Sequence, residues 1–249
     1  MPPKLHQEFH SPSTEKYLSS YPRLPRRIRV LDGFVRKFPR RVFKPFRPKQ
    51  EEKFVSHLLF FKKPLRRGEF SMTPSPYELG IATADIVDRL TAHREAFPRE
   101  MYYSRLNRGD ACYYLAHEGQ VKSYQWVNFR ECALVWGFTN TLNFFTLPDD
   151  TAYAYDFYTY SDARGQGFGS LLKQYMWADL AGKGFSSVVN GIHHYNFVSL
   201  KVHLDAGFQL QRLYYLYQLM AWQGVFRGTE AETREVAAWL ESLDLASRD

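Results

Sequence analysis

The chain has 249 residues, of which 45% are hydrophobic and 17% aromatic, and its formal net charge is +7. This composition supports a packed core and excludes a wholly disordered chain. No apolar run approaches the ~20 residues of a membrane-spanning helix, and the N-terminus lacks the apolar stretch of a signal peptide, so we expect a cytoplasmic protein.

Residues 1–50 predict a basic N-terminal arm that is partly disordered or amphipathic. Between Tyr21 and Gln50, eleven Lys and Arg residues stand against one acid, Asp32. Three interpretations stay open: a segment that binds an anionic membrane surface, a nucleic-acid contact, and a solvated or self-packed tail. The four Phe residues in this stretch favour lipid or self-packing over nucleic acid. We expect a globular domain over residues 51–227 and a C-terminal helix over 228–249.

The globular part is predicted to begin with the strand "FVSHLLFF". Two helices follow, "TADIVDRLTAHREAF" with Thr83 as its N-cap and a second from Pro98 to about Arg108. The run "ACYYLAHEGQVKSYQWVNF" predicts a hairpin that turns at Glu118 and Gly119. The later elements are the strands "ALVWGFTNTLNFF" and "TAYAYDFYTY", the helix "FGSLLKQYMWADLAGKG", the strand "FSSVVNGI", the helix "NFVSLKVHLDAG", the strand or strand pair "FQLQRLYYLYQL", and a helix capped by Thr229. This order predicts an α/β fold with a mixed sheet and helices on both faces.

The stretch "DARGQGFGS" joins a predicted strand directly to a predicted helix. Free backbone N–H groups and the helix dipole make such a junction a binding site for phosphate. Glycine removes the side chains that would keep a phosphate away from the amides, and Arg164 can add a full positive charge. The spacing matches neither the P-loop pattern nor the dinucleotide pattern GxGxxG.

The motif "RGQGFG", Arg164–Gly169, resembles the acyl-CoA pyrophosphate loop of the GCN5-related N-acetyltransferases (GNAT superfamily), whose pattern is [QR]-x-x-G-x-[GA]. Downstream, Asn196, Ser199 and the pair Gly207-Phe208 resemble the second signature of that family. "CYYLAHEGQVKSYQWV" is similar to its second and third strands. The resemblance covers about residues 55–220, and before residue 110 it rests on element order alone.

The resemblance implies a mostly antiparallel sheet of six or seven strands with a V-shaped splay. It implies an N-acyltransferase that moves acetyl from acetyl-CoA to a primary amine. Because neither signature contains a Cys that could carry the acyl group, we expect direct attack in a ternary complex. We expect no metal, because no third ligand follows the adjacent His193 and His194 at a metal-site spacing. The implied contacts of acetyl-CoA are Phe157, Thr159, Arg164, Gly165, Gln166, Gly167, Phe168, Gly169, Ser170, Asn196 and Ser199. A plain helix N-cap is the alternative role for Asn196.

Two residues are catalytic candidates, His203 from the same resemblance and Asp156 from its position on a strand. His203 stands where many members have a Tyr that protonates the thiolate, seven residues past Asn196 and hence on the same helix face. Capping the helix or packing near Gly207 is the alternative role for His203. Asp156, on the strand that enters the glycine loop, is the candidate general base, and strand alternation places it on the face opposite Phe157. The alternatives for the base are Glu118 and Glu131, on or near the preceding hairpin, and an ordered water. Because His203 replaces Tyr, a non-catalytic CoA-binding or interaction module is the second functional hypothesis.

Overall fold

A computed structural model describes residues 21–22, 55–70, 76–92, 98–136, 140–219 and 222–246. They fall into two compact units: residues 62–190 form the first, while Tyr21, Pro22, 55–61 and 191–246 belong to the second. Apart from Tyr21 and Pro22, the predicted arm over 1–50 lies outside the described residues, and the domain boundaries after 50 and 227 stay predictions. Among the described helices, none has the length and apolarity needed to span a bilayer.

The first unit begins with the last residues of β1 (Val55–Pro64) and ends with the first residues of β8 (Ser187–His193). Between them lie β2 (Glu78–Ile81), α1 (Ala84–Ala92), α2 (Arg99–Arg108), β3 (Ala111–His117), β4 (Gln120–Asn128), β5 (Glu131–Trp136), β6 (Asn140–Thr146), β7 (Thr151–Thr159) and α3 (Phe168–Gly182). The second unit adds α4 (Phe197–Asp205), β9 (Gln209–Leu219), β10 (Trp222–Arg227) and α5 (Glu230–Ala246).

The sheet of the first unit has the strand order β8–β7–β4–β3–β2. Only the β7–β8 pair is parallel among these, and the other three pairs are antiparallel, so the predicted mixed, mostly antiparallel sheet is confirmed. The β3–β4 hairpin turns at Glu118 and Gly119, with φ of 51° and 74°. Two successive residues with positive φ match the right-handed twist of the flanking strands, and the predicted hairpin is confirmed.

Helices cover both faces of this sheet. Tyr114, Tyr124 and Trp126 belong to one apolar cluster with residues of α1 and α2. The neighbouring Tyr113 points the other way and donates a hydrogen bond of 2.6 Å to Asp179 of α3. Because successive side chains of a strand alternate between faces, α1 and α2 cover one face and α3 covers the other.

Two features of the strand pattern differ from the prediction. The run "ALVWGFTNTLNFF" was predicted as one strand, but it contains β5 and β6, which pair antiparallel as a separate two-stranded sheet. In the second unit the strand order is β10–β9–β1–β8. The strand orders of the two units together contain eight different strands, whereas six or seven were predicted. The outermost strand β2 is absent from the predicted elements, because its four residues are too few to show a clear alternating pattern.

The C-terminal helix α5 begins as the sequence predicts. Thr229 Oγ1 accepts a hydrogen bond of 3.2 Å from the backbone N–H of Glu232. In return, Glu232 Oε2 accepts a hydrogen bond of 2.8 Å from the backbone N–H of Thr229. This reciprocal arrangement is a capping box, and it confirms Thr229 as the cap.

Candidate functional site

The glycine loop connects β7 to α3 within the first unit. Gly165 and Gly167 have φ of 76° and 80°, which side chains rarely tolerate, so the backbone path itself requires glycine at both positions. Gly167 is the N-cap of α3, and among the described residues no side chain caps this end. The first N–H groups of a helix have no partner inside the helix, so they are available to an anion.

Two side chains hold the shape of this loop. Arg164 Nε donates a hydrogen bond of 3.2 Å to the carbonyl of Thr159, and its guanidinium lies 5.7 Å from the centre of the Tyr158 ring. Gln166 Nε2 donates a hydrogen bond of 2.7 Å to the carbonyl of Asp162. The side chains of Arg164, Gln166 and Ser170 are exposed, whereas Phe168 is buried. The loop therefore presents a charged, solvent-accessible surface above a packed base.

Gly169 is required for a different reason than Gly165 and Gly167. A Cβ atom at this position would lie 2.7 Å from Cζ of Phe157 and 3.1 Å from Oγ1 of Thr159. The first turn of α3 therefore packs directly on β7 through a glycine. This contact places the end of the helix against Phe157 and Thr159, which are two of the predicted acetyl-CoA contacts.

Replacing Gly169 with Ala should lower the free energy of unfolding by about 1–3 kcal/mol, because the added methyl group overlaps the Phe157 ring. Gly182, in the last turn of the same helix, is the matched control, since a Cβ there meets nothing within 4 Å. Gly182→Ala should leave stability unchanged or raise it by up to about 1 kcal/mol. Urea unfolding of both variants tests the contact, and equal stabilities would contradict it.

Strand β7 carries an irregularity just before the loop. Tyr155 and Tyr158 pair with Trp126 and Tyr124 of β4, so Asp156 and Phe157 together face the single residue between those two partners. This is a β-bulge, and Asp156 has a φ of 43° within it. Asp156 is ion-paired with Arg105 of α2, whereas Phe157 packs against α3, so the two side chains lie on opposite faces as predicted.

One edge of β7 has few strand contacts. Its parallel ladder with β8 joins only Thr151–Tyr153 to Ser187–Val189. Over Ala154–Thr159, β4 is the only strand partner that β7 has among the described residues. An extended chain with amide groups could add to this edge by backbone hydrogen bonds.

The second predicted signature lies in the second unit, at the start of α4. Asn196 Oδ1 accepts a hydrogen bond of 3.2 Å from the backbone N–H of Ser199, so Asn196 is the N-cap of α4. This confirms the alternative role of Asn196. A contact with pantetheine stays a prediction for Asn196 and Ser199, and the cap does not exclude it because it uses only Oδ1.

His203 lies in the last turn of α4 and is only 2% exposed. Its Nδ1 lies 2.6 Å from the carbonyl oxygen of Ser199. Because a carbonyl oxygen only accepts hydrogen bonds, Nδ1 carries the proton, and in a neutral ring Nε2 is then an acceptor. The centre of the His203 ring also lies 5.0 Å from the centre of the Phe208 ring. The role of His203 as the proton donor to the thiolate stays a prediction, and it would require a doubly protonated ring.

Two buried cations on the helices of the first unit, Arg105 and Lys173, were not predicted from the sequence, and they are 3% and 2% exposed. Lys173 lies on α3 with its Nζ 4.4 Å from the centre of the Phe157 ring, and burial lowers its pKa to about 7. Each cation falls on the apolar stripe of its helix: Arg105 follows Tyr102 by three residues, and Lys173 precedes Trp177 by four. A charged residue on the apolar face of a predicted helix is the sequence signal that could have identified both buried cations.

The described part of the chain contains no group of three or more His, Cys, Asp and Glu side chains that could hold a metal ion.

Comparison with family models gives no match, and comparison with curated proteins gives none at the significance threshold. Among solved structures, the chain is similar to a functionally unknown conserved protein from Staphylococcus epidermidis (TM-score 0.46, 11% identity, 65% of this chain and 60% of that one). It is similar to a structure named as a GNAT-family acetyltransferase from Novosphingobium aromaticivorans (TM-score 0.47, 14% identity, 70% of this chain and 66% of that one). A third similar structure is an N-acetyltransferase from Staphylococcus aureus (TM-score 0.43, 17% identity, 61% of this chain and 95% of that one). The chain thus spans less than two thirds of the first two proteins.

Proposed function

We propose that this protein is an acyl-CoA-dependent N-acyltransferase that transfers acetyl from acetyl-CoA to a primary amine. The observation that carries the proposal is the junction of β7 and α3, where two glycines have positive φ and no side chain among the described residues caps the helix. The motif of this junction is the one that resembles the GNAT pyrophosphate loop. The proposal includes a cytoplasmic location.

The residues of the first unit fit the two polar parts of acetyl-CoA. Backbone N–H groups of Gly165, Gly167 and Gly169 would bind the pyrophosphate, with Arg164 supplying a positive charge. The amide-rich pantetheine arm suits the edge of β7 over Ala154–Thr159, where β4 is the only described strand partner. Phe157 and Thr159 belong to this edge. Asn196 and Ser199 stay proposed contacts of the pantetheine.

Acyl transfer in this proposal is a single displacement on the thioester carbonyl. The nitrogen of a neutral amine forms a bond with the carbonyl carbon, the C–S bond breaks, and the amine gives up a proton while the thiolate takes one. A backbone N–H group of β7 would stabilise the negative charge that develops on the carbonyl oxygen. The chain positions the donor, and the carbonyl is activated by orientation and hydrogen bonding.

The burial of His203 favours the second candidate function, a CoA-binding module without turnover. A ring that is 2% exposed and donates from Nδ1 to a helix carbonyl is poorly suited to deliver a proton to a thiolate. In this alternative the glycine loop binds CoA and no group completes the reaction.

Two measurements on the full chain separate the candidates. Isothermal titration with acetyl-CoA measures binding, and release of free thiol over a panel of primary amines measures transfer. We expect micromolar binding and thiol release with at least one amine. Binding without turnover on any amine would support the CoA-binding module, and absence of binding would remove both functions.

A further inference from the structure

The β-bulge of β7 is held in a backbone conformation that an ordinary residue rarely adopts. Asp156 and Glu118 are the non-glycine residues with positive φ among those described, and Glu118 lies in a hairpin turn. Asp156 instead lies inside a strand, between Tyr155 and Tyr158, which are both paired with β4. A residue of this kind persists only where surrounding contacts stabilise it, and such positions concentrate at functional sites.

The contact that stabilises this conformation is a buried ion pair. Arg105 Nη1 lies 2.5 Å from Asp156 Oδ2, and the side chains are 3% and 11% exposed. At this burial a carboxylate is strongly disfavoured without its cation, so the pair restrains where Asp156 can place its backbone. The pair therefore links the last turns of α2 to the bulge.

Arg105 itself is fixed by aromatic rings. Its guanidinium lies 5.5 Å from the ring centre of Tyr102, 5.2 Å from that of Trp126 and 5.0 Å from that of Tyr155. Rings at these distances attract a cation, and together they leave the guanidinium little freedom to move. The carboxylate of Asp156 is thus held against a rigid partner.

A second carboxylate extends the same network along the strand. The Tyr155 hydroxyl donates a hydrogen bond to Asp110, which also accepts one of 2.7 Å from Asn128 Nδ2 and is ion-paired with Arg108. Tyr155 immediately precedes the bulge and contacts Arg105. The network therefore fixes the residue before the bulge as well as the first residue within it.

We propose that Arg105 and Asp156 are positioning residues that hold the β7 bulge so that the backbone N–H of Phe157 faces the thioester carbonyl of the acyl donor. This inference rests on the proposed function and gives Asp156 a role other than that of general base. Phe157 is held on the opposite face by its contacts with Gly169 and Lys173. The bulge is thereby restrained from both sides of the sheet.

Asp156→Asn is the most direct test, because Asn tolerates positive φ but cannot form the ion pair. The readout is the ratio of the dissociation constants of CoA and acetyl-CoA, measured by isothermal titration. CoA lacks the carbonyl, so loss of one hydrogen bond to it should reduce the ratio about three- to tenfold and change CoA affinity less than about twofold. A variant that lost general stability would change both affinities together.

Two further variants keep the test decisive. The double variant Arg105→Met/Asp156→Asn leaves no unpaired buried charge, and it should reproduce the reduced ratio if the single variant folds poorly. Asp88→Asn is the control, because Asp88 forms an Arg–Asp pair with Arg99 at the same 2.5 Å but on the exposed surface of α1 and α2. It should leave the ratio unchanged.

The pH dependence of transfer to any amine identified distinguishes positioning from base catalysis. A positioning role predicts that kcat of Asp156→Asn falls by about the same factor at every pH, whereas loss of a general base removes a limb of the pH profile. If the wild-type protein binds acetyl-CoA and Asp156→Asn leaves the ratio unchanged, or if the variant loses that limb, the inference is overturned and the proposed function stays intact. If the wild-type protein binds neither CoA nor acetyl-CoA, both the inference and the proposed function are wrong.

Discussion

Gly167→Asn should weaken the binding of acetyl-CoA by about 30-fold or more, equivalent to about 2 kcal/mol. Gly167 has a φ of 80° and is the N-cap of α3. Asn tolerates positive φ better than other residues with a side chain, so the loop should keep its path. A Cβ there meets nothing within 4 Å, and the new side chain would therefore extend into the space that the pyrophosphate requires. Isothermal titration measures the loss.

Gly184→Asn is the matched control for this substitution. Gly184 follows the other end of α3, has a φ of 94°, and also has nothing within 4 Å of its Cβ position. The two variants should lose similar stability in urea unfolding, since both introduce the same side chain at positive φ. Only Gly167→Asn should lose affinity. Unchanged affinity in a folded Gly167→Asn protein would contradict the assignment of the loop as the phosphate site.

Lys173→Met should raise the free energy of unfolding by about 2–4 kcal/mol at pH 7. Burial alone lowers the pKa of Lys173 from 10.5 to about 7, and each pKa unit corresponds to about 1.4 kcal/mol of destabilisation of the charged form. We expect a gain smaller than the destabilisation that the whole pKa shift implies, because the Phe157 ring, 4.4 Å from Nζ, offsets part of the lost hydration. Met has a similar length and no charge, so it removes the unfavourable desolvation while filling the same space.

The advantage of Lys173→Met should decrease as the pH rises from 7 towards 10.5, the ordinary pKa of lysine. In this range the unfolded chain still binds a proton at Lys173 and the folded chain has released it. Wild-type stability therefore increases with pH, whereas that of the variant lacks this contribution. The difference should shrink by roughly 1 kcal/mol per pH unit in urea unfolding.

Lys183→Met is the control for the pH dependence. Lys183 follows α3, its side chain is 44% exposed, and it forms an ion pair of 2.6 Å with Asp179. An exposed pair contributes little, so this variant should change stability by less than about 1 kcal/mol at pH 7. If Lys173→Met is no more stable than Lys183→Met, the amine of Lys173 is hydrated in the folded protein.

The predictive power of the sequence was greatest where one local pattern dictates one local structure. Two runs of β-forming residues with the turn residues Glu118 and Gly119 between them predicted the β3–β4 hairpin, because a tight turn requires positive φ, which glycine adopts readily. Thr229 predicted the start of α5 for a similar local reason, since a hydroxyl can satisfy a free helix N–H group.

Residues that meet from distant parts of the chain were beyond the reach of the sequence pattern. Asp156 was recognised as a strand acid facing away from Phe157, but its partner Arg105 is 51 residues earlier and on a helix. The sequence predicted only that Gly169 leaves its backbone N–H accessible to phosphate. The structure shows that the close approach of Phe157 also excludes a side chain at this position. Contacts of this kind depend on how helices pack on a sheet, which local periodicity does not encode.

The amino-acid sequence by itself determined the order of the elements around the loop and the place of the junction that is proposed to bind phosphate. These two features follow from backbone geometry and hydrogen bonding within a few neighbouring residues. The class of reaction to propose came from the resemblance of two sequence motifs to the GNAT signatures. Only the tertiary structure decided that the junction follows a β-bulge, that a buried Arg–Asp pair holds this bulge, and that a desolvated lysine lies beneath it. Burial and long-range ion pairing arise when distant segments pack together, because only then is water removed from the charges.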